Sequence, residues 1–212
     1  MHHAPSHPAV EARGVGRRFG SNVVLRDLDL RIEWGEAVAL LGANGAGKTT
    51  LLRILAGSLT PQHGDARIGG ADTGTEAARR SAALLAGDAY LYEDLTAREN
   101  LRFALGMAGR HDDASSVTAA VARVGLGRAA DKRVRPFSSG MRKRLALARV
   151  LVLDPAILLL DEPYASLDAD ASRLVDDVVE EWRSPGRALL MATHRAARAS
   201  TVCDRAHRLR GG

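Results

Sequence analysis

Apolar residues follow two kinds of strand pattern along the chain. Residues 28–32 alternate leucine or isoleucine with charged residues, which predicts a strand with one exposed face. Residues 37–41, 157–160 and 188–192 are continuous apolar runs, typical of strands that are covered on both faces. Residues 169–182 have the spacing of an amphipathic helix. Because strands and helices alternate, we expect an α/β fold with a mostly parallel sheet and helices on both faces.

The middle of the chain has helical periodicity instead. From about residue 95 to residue 150, apolar side chains recur every three or four positions, for example at Val117, Val121 and Val124. We interpret this region as a helical insertion within one domain of residues 10–212. Residues 1–9 contain three histidines and two prolines, and we interpret them as a flexible tail rather than a metal site.

The composition is that of an ordinary globular protein. The 212 residues are 46% hydrophobic and 26% charged, which allows a sizeable core and excludes a disordered chain. The single cysteine, Cys203, excludes a disulfide framework and a multi-cysteine metal site. No apolar run approaches the ~20 residues that cross a bilayer, and we expect no signal peptide. The net charge of +5 suits nucleic acid, phosphates or an anionic membrane surface, and does not decide among them.

A glycine-rich segment follows the first buried strand. Residues 42–49, GANGAGKT, fit the pattern G-x-x-x-x-G-K-[ST] and stand between a predicted strand and a predicted helix. Glycines let backbone amides turn inward around phosphate oxygens, and the helix adds the positive end of its dipole. We expect Lys48 to contact the β- and γ-phosphates and Thr49 to ligate Mg²⁺.

Two acidic residues end the second buried strand. A carboxylate at a strand tip beside a phosphate loop suits Mg²⁺, directly or through water, and we assign this role to Asp161. The next residue, Glu162, is expected to polarise the water that attacks the γ-phosphate. The two motifs together predict a phosphate-loop NTPase.

A third segment, residues 137–144 with the sequence FSSGMRKR, precedes a predicted helix. Ser138 and Gly140 at the helix N-terminus would offer a hydroxyl and open backbone amides, which is a second phosphate site on a surface remote from the first. A serine N-cap explains the same residues equally well. The segment alone therefore leaves both interpretations open.

The order of these motifs resembles that of the ABC-type ATPases over the chain from about Val10 to Leu209. In sequence order the chain has an aromatic residue (Phe19), the phosphate loop, the helical insertion, residues 137–144, Asp161 and Glu162, residues 166–168 and His194. The resemblance implies an α/β fold: a P-loop NTPase core with a mostly parallel sheet, an N-terminal antiparallel β subdomain and an inserted helical subdomain.

The resemblance also implies roles for individual residues. Glu162, His194 and Lys48 would be catalytic, and Thr49 and Asp161 would hold the metal. His194 would hold the γ-phosphate and Glu162. The residues that bind nucleotide would include the adenine-stacking aromatic, the phosphate loop and groups that reach the nucleotide of a partner cassette: Phe19, Gly42, Ala43, Asn44, Gly45, Ala46, Gly47, Lys48, Thr49, Thr50, Ser138, Ser139, Gly140 and Asp168.

The chain departs from the family pattern at two places. The family signature is usually Leu-Ser-Gly-Gly-Gln, whereas Ser139 replaces the first glycine here and Met141 replaces the glutamine. The glutamine that usually joins the core to the helical insertion is also missing. Gly87 stands at its position, with Asp88 beside it. We expect Thr49, Asp161 and water to carry the metal, with this hinge contributing coupling to the membrane partner rather than chemistry.

The function implied by the resemblance is that of a one-cassette ATP-binding subunit of an ABC transporter, a Mg²⁺-dependent ATPase. Two cassettes would form a dimer around two ATP molecules and act on a separate integral membrane permease. The chain would then be cytoplasmic and peripheral on the inner face of the cell membrane. Its small size and its missing loop glutamine resemble the haem-exporter subunits of cytochrome c maturation.

Three alternatives to haem export stay open at this stage. The first is a multidrug or antibiotic exporter ATPase, and the second is a soluble ABC protein that acts on ribosomes or DNA. Proteins of the second kind usually carry two cassettes or a long coiled coil, so we expect no nucleic-acid partner. The third, a small phosphate-loop kinase, is disfavoured by residues 137–144 and His194.

Overall fold

The computed structural model describes residues 6–86, 91–110, 113–165 and 167–209. These residues form two compact units, each of which is described by itself. The first unit takes the described residues of 1–84, 155–163 and 176–212, and the second takes those of 85–154 and 164–175.

The secondary structure alternates between strands and helices in chain order. In the described residues the strands are β1 (Val10–Phe19), β2 (Asn22–Ile32), β3 (Ala37–Leu41), β4 (His63–Ile68), β5 (Ala71–Asp72), β6 (Ala82–Ala86), β7 (Ile157–Asp161), β8 (Ala188–Thr193) and β9 (Arg205–Arg208). The helices are α1 (Lys48–Leu55), α2 (Glu76–Ser81), α3 (Ala97–Met107), α4 (Ala114–Arg123), α5 (Ser139–Val152), α6 (Ala169–Trp182) and α7 (Ala196–Val202).

The first unit begins with an antiparallel sheet in the order β2-β1-β4-β5. The β1–β2 hairpin pairs Phe19 with Asn22 at its tip. The alternation of apolar and charged residues breaks at residues 26–27, which are both charged, but β2 continues through them. Val15 pairs with Leu28 and the next pair of the ladder is Arg17 with Leu25, so two residues of β2 oppose one of β1. This is a β-bulge, which keeps one strand paired across an interrupted alternation.

The second sheet of the molecule has the order β6-β7-β8-β3-β9. The pairings β3–β8, β7–β8 and β3–β9 are all parallel. Strands β3 and β8 are buried along their whole length, as their continuous apolar runs predict. Leu41 is paired with Thr193 and Asp161 with Ala192, so the segments that follow these three strands start at one edge of the sheet. That edge is where ligands bind in open parallel sheets.

The second unit is built around helices α3, α4 and α5, in the region where helical periodicity predicts them. Each of these helices begins with a side-chain cap: Thr96 for α3, Asp113 for α4 and Ser138 for α5. Within the described residues, no helix combines the length and the apolar character needed to span a membrane.

Candidate nucleotide-binding site

The phosphate loop connects β3 to α1 and has a glycine, Gly47, where a side chain does not fit. Gly47 has a φ of 95°, and a Cβ on it would lie 2.7 Å from Leu25 Cδ2 and 2.8 Å from the carbonyl oxygen of Val24. Gly47 is also the N-cap of α1 and supplies no side-chain acceptor to the first amides of the helix. These amides are therefore available to an anion, which the helix dipole also favours.

Lys48 is nearly buried, with 7% of its surface exposed. Its Nζ donates hydrogen bonds to the carbonyl oxygens of Gly42 at 2.7 Å and Ala43 at 3.0 Å. Both acceptors are uncharged, so the ammonium keeps its attraction for phosphate oxygens. The geometry places the cation inside the loop, at the start of the helix that follows it.

Thr49 and Asp161 meet although 112 residues separate them in sequence. Thr49 Oγ1 donates to Asp161 Oδ2 at 2.7 Å. Burial raises the pKa of Asp161, and the Thr49 hydrogen bond opposes that rise. A hydroxyl oxygen and a carboxylate oxygen side by side are the donors that Mg²⁺ prefers. The described residues hold no group of three or more His, Cys, Asp or Glu suited to a metal, and Mg²⁺ needs none, because water and substrate phosphates supply its other ligands.

Glu162 follows β7 in a left-handed backbone conformation, with a φ of 46°. A non-glycine residue in this region is uncommon and requires surrounding contacts to hold it. Its backbone N–H donates to the carbonyl oxygen of Ala192 at 2.8 Å, which ties the turn to β8. Its Oε2 lies 2.9 Å from His194 Nδ1 and accepts a hydrogen bond from Thr193 Oγ1 at 3.2 Å. The carboxylate is therefore oriented by two side chains from the end of the neighbouring strand.

Thr193 precedes His194 in the sequence motif and is a site residue for which the sequence predicted no role. Its side chain is fully buried, and its Oγ1 accepts from the backbone N–H of Arg195 while it donates to Glu162. The signal that could have identified it is its position as the polar last residue of an apolar strand, directly before His194.

A cavity of about 400 Å³ opens beside these groups in the first unit. Phe19 stands at its wall with 49% of its surface exposed. Nine residues of the predicted site line the cavity: Phe19, Asn44, Gly45, Gly47, Lys48, Thr49, Thr50, Asp161 and Glu162. Asn22 and Val24 also line it and were not predicted. Of the remaining loop residues, Gly42 and Ala43 hold Lys48 through their carbonyls, and Ala46 belongs to the hydrophobic core.

The second unit contains Ser138, Ser139, Gly140 and Asp168. Ser138 Oγ accepts from the backbone N–H of Met141 at 3.2 Å, so the N-cap interpretation describes its contact in this structure. Ser139 is the first residue of α5. A Cβ added to Gly140 would approach Ser138 Oγ no closer than 4.0 Å, so the turn does not itself require glycine there.

Asp168 is held by residues of the same unit. Its Oδ1 accepts from the backbone N–H of Ala171 at 2.8 Å, and Arg144 Nη2 reaches its two oxygens at 2.9 and 2.7 Å. The Ala171 hydrogen bond and the Arg144 guanidinium lower the pKa of Asp168. Ser166, Gly87 and Asp88 lie outside the described residues.

The chain is similar to known proteins over most of its length. A family model described as ABC transporter matches residues 25–165. The chain is 40% identical over 205 residues to the cytochrome c biogenesis ATP-binding export protein CcmA of Xanthomonas oryzae, covering 97% of this chain and 94% of the relative. It is 36% identical over 185 residues to the ABC transporter ATP-binding protein NatA of Bacillus subtilis, covering 85% and 75%. A solved ATP-binding subunit of an ABC transporter is similar with a TM-score of 0.87 and 30% identity, covering 95% of this chain and 85% of the solved one.

Proposed function

The chain belongs to the ABC transporter family as an ATP-binding subunit, and we propose that it drives a separate membrane permease that exports haem for cytochrome c biogenesis. The observation that carries the ATPase part is that Lys48, the Thr49–Asp161 pair and Glu162 line one cavity, with His194 in contact with Glu162. The observation that supports haem export is the 40% identity to CcmA, which extends over almost the whole of both chains. In this proposal residues 10–212 work as a single ABC ATPase domain.

ATP binding follows from the phosphate loop. The α1 amides and the loop amides would receive the phosphate oxygens, and Phe19 would stack on the adenine at the other end of the cavity. Lys48 would exchange its two carbonyl acceptors for β- and γ-phosphate oxygens. Thr50, which also lines the cavity, would add a contact in the first turn of the helix.

Hydrolysis would be an in-line attack of water on the γ-phosphorus. The water oxygen forms the new bond to phosphorus while the bond to the β–γ bridging oxygen breaks, giving ADP and phosphate. Glu162 Oε accepts the proton that the water gives up. His194 and Thr193 hold that carboxylate in place, and His194 would also reach the γ-phosphate.

Mg²⁺ fits the donor set, with Thr49 and Asp161 as the residues that would hold it. When bound, the ion would neutralise charge on the β- and γ-phosphate oxygens. The tight approach of the hydroxyl to the carboxylate, in a partly buried place, is the observation that supports this assignment.

The proposed working form is a dimer of two cassettes on a permease. Ser138, Ser139 and Gly140 at the start of α5 would contact the γ-phosphate of the nucleotide held by the other cassette, and Asp168 would lie at the interface. The proposed export role places the chain at the cytoplasmic, inner face of the cell membrane. We propose no nucleic-acid partner for the chain.

A different cargo is the second candidate, and the 38% identity over 194 residues to the aliphatic sulfonates import ATP-binding protein SsuB 2 of Pseudomonas aeruginosa is the observation that favours it. Deletion of the gene in its host distinguishes the two. Under the haem proposal, c-type cytochromes lose covalent haem staining, and the wild-type chain restores it whereas Glu162→Gln does not. Unchanged c-type cytochromes in the deletion strain would contradict haem export and leave the ATPase assignment in place.

A further inference from the structure

One face of the Phe19 ring is covered by a cation. The guanidinium carbon of Arg17 lies over the ring at 5.0 Å from its centroid. The two residues are two positions apart on β1, and residues at this spacing in a strand share a face. About half of the Phe19 surface remains exposed, and the residue lines the nucleotide cavity. The ring therefore has one face occupied by its own chain while it borders the cavity.

The connection between α1 and β4 holds the Arg17 side chain through a hydrogen bond. Its Nη1 donates to the carbonyl oxygen of Thr60 at 2.9 Å. The same connection holds the strand backbone, because Gln62 Oε1 accepts from the Arg18 N–H at 2.6 Å and the Gln62 N–H donates to Gly16 at 2.9 Å. The guanidinium thus has a defined position between residue 60 and the aromatic ring.

The burial of one nitrogen of the Arg17 side chain is not compensated by a hydrogen bond. Its Nε is buried, and among the described residues no acceptor reaches it. A buried donor without a partner costs free energy, so this placement is unfavourable for stability alone. Local rules of this kind are broken mainly where a function requires it.

We propose that Arg17 is a positioning residue for the purine base: it holds Phe19 so that the ring face away from the guanidinium meets the base. The inference rests on the proposed stacking of Phe19 on adenine. A cation over one face fixes the ring before nucleotide arrives, and pre-ordered groups bind with a smaller entropic loss. Arg17 acts through Phe19 and does not contact the phosphates.

The test compares two ligands that differ by the base. Dissociation constants for ATP and for inorganic tripolyphosphate, both with Mg²⁺, are measured by calorimetry for wild type and Arg17→Met. We expect ATP to bind about three- to fivefold more weakly to the variant, the size of a partly exposed cation–π contact. Tripolyphosphate should bind equally to both. Arg13→Met is the matched control, since Arg13 is an exposed arginine of β1 paired with Glu11, and it should change neither constant.

The Phe19→Ala background separates this inference from the proposed function. Phe19→Ala should weaken ATP by about tenfold, as loss of base stacking does, and adding Arg17→Met should then have no further effect. If Phe19→Ala weakens ATP but Arg17→Met does not, the positioning role of Arg17 is overturned and base stacking stands. An equal loss of ATP and tripolyphosphate in Arg17→Met would indicate a general electrostatic or folding role and would also overturn it. If Phe19→Ala leaves ATP binding unchanged, both the stacking and the positioning role are wrong.

Discussion

Two regions of the molecule are each built on the N-terminus of a helix. The phosphate-loop region of the first unit comprises residues 42–49 with Asp161, Glu162 and His194, and the signature region of the second unit comprises residues 137–144. They differ in the groups that surround the helix. Around α1, a lysine, a hydroxyl–carboxylate pair and a glutamate border one cavity, and a histidine contacts that glutamate. At the start of α5, the structure has a serine cap and a neighbouring glycine, and Asp168 of the same unit is paired with Arg144. The phosphate-loop region contains side chains that can act in catalysis, whereas the signature region contains groups that can contact a phosphate.

This difference predicts different consequences of mutation. Changes in the first region should remove catalysis within the chain that carries them. Changes in the second region should leave ATP binding by the same chain intact and should impair the site that it helps to complete.

Glu162→Gln should have the largest effect. Removing the carboxylate removes the proton acceptor for the attacking water, a role typically worth about 10²–10⁴-fold in rate. ATP binding should stay near wild type, since the loop and Lys48 are untouched. Steady-state ATPase rates and nucleotide dissociation constants check this, with Glu76→Gln on the exposed part of α2 as the control. A turnover close to wild type would remove Glu162 from the role of base.

Ser138→Ala should have an intermediate effect on ATPase activity. Removal of a second N-cap, in Thr96→Ala, shows how much of that effect comes from lost stability. Loss of either N-cap should destabilise the protein by about 1 kcal/mol, so Ser138→Ala and Thr96→Ala should lower the unfolding free energy similarly. Only Ser138→Ala should also lower ATPase activity, by about tenfold, as expected for one hydrogen bond to a charged group. Denaturant unfolding and ATPase assays are made on both variants. Equal activities in the two variants would leave Ser138 with its capping role alone.

Arg144→Met should have the smallest effect. Asp168 keeps the Ala171 hydrogen bond, the largest cause of its lowered pKa, and loses only the guanidinium. Its pKa should therefore rise part of the way to the ordinary aspartate value, and ATPase activity should fall by less than about threefold, as for most exposed ion pairs. Carboxyl ¹³C NMR titration measures the first quantity. An unchanged pKa would show that the ion pair does not persist in solution.

The sequence predicts the parts of the site that are contiguous. Residues 42–49 carry the loop and the start of the helix together, and Asp161 and Glu162 follow a run that is unmistakably a buried strand. The parallel sheet then dictates that these segments meet at one edge. The α/β fold and the elements that carry the site therefore follow from the sequence.

The contacts that orient the site could not be predicted in the same way. The Thr193–Glu162 hydrogen bond depends on which strand neighbours β7, and the left-handed conformation of Glu162 has no marker in its residue type. The Arg144–Asp168 pair and the Arg17–Phe19 contact each need one rotamer of a long, flexible side chain. Such rotamers are decided by packing, which sequence periodicity does not encode.

The central claim is that one catalytic site combines the first region of one chain with the second region of another, and mixing two inactive variants tests it most directly. Lys48→Ala and Ser138→Arg should each be inactive alone. A mixed dimer has one site in which both Lys48 and Ser138 are intact, so mixing should restore activity, up to about a quarter of wild type for equal amounts and random pairing. Mixing Lys48→Ala with Glu162→Gln should restore nothing, because both changes lie in the first region and every site keeps one of them. No recovery in the first mixture, or equal recovery in both, would contradict the shared site.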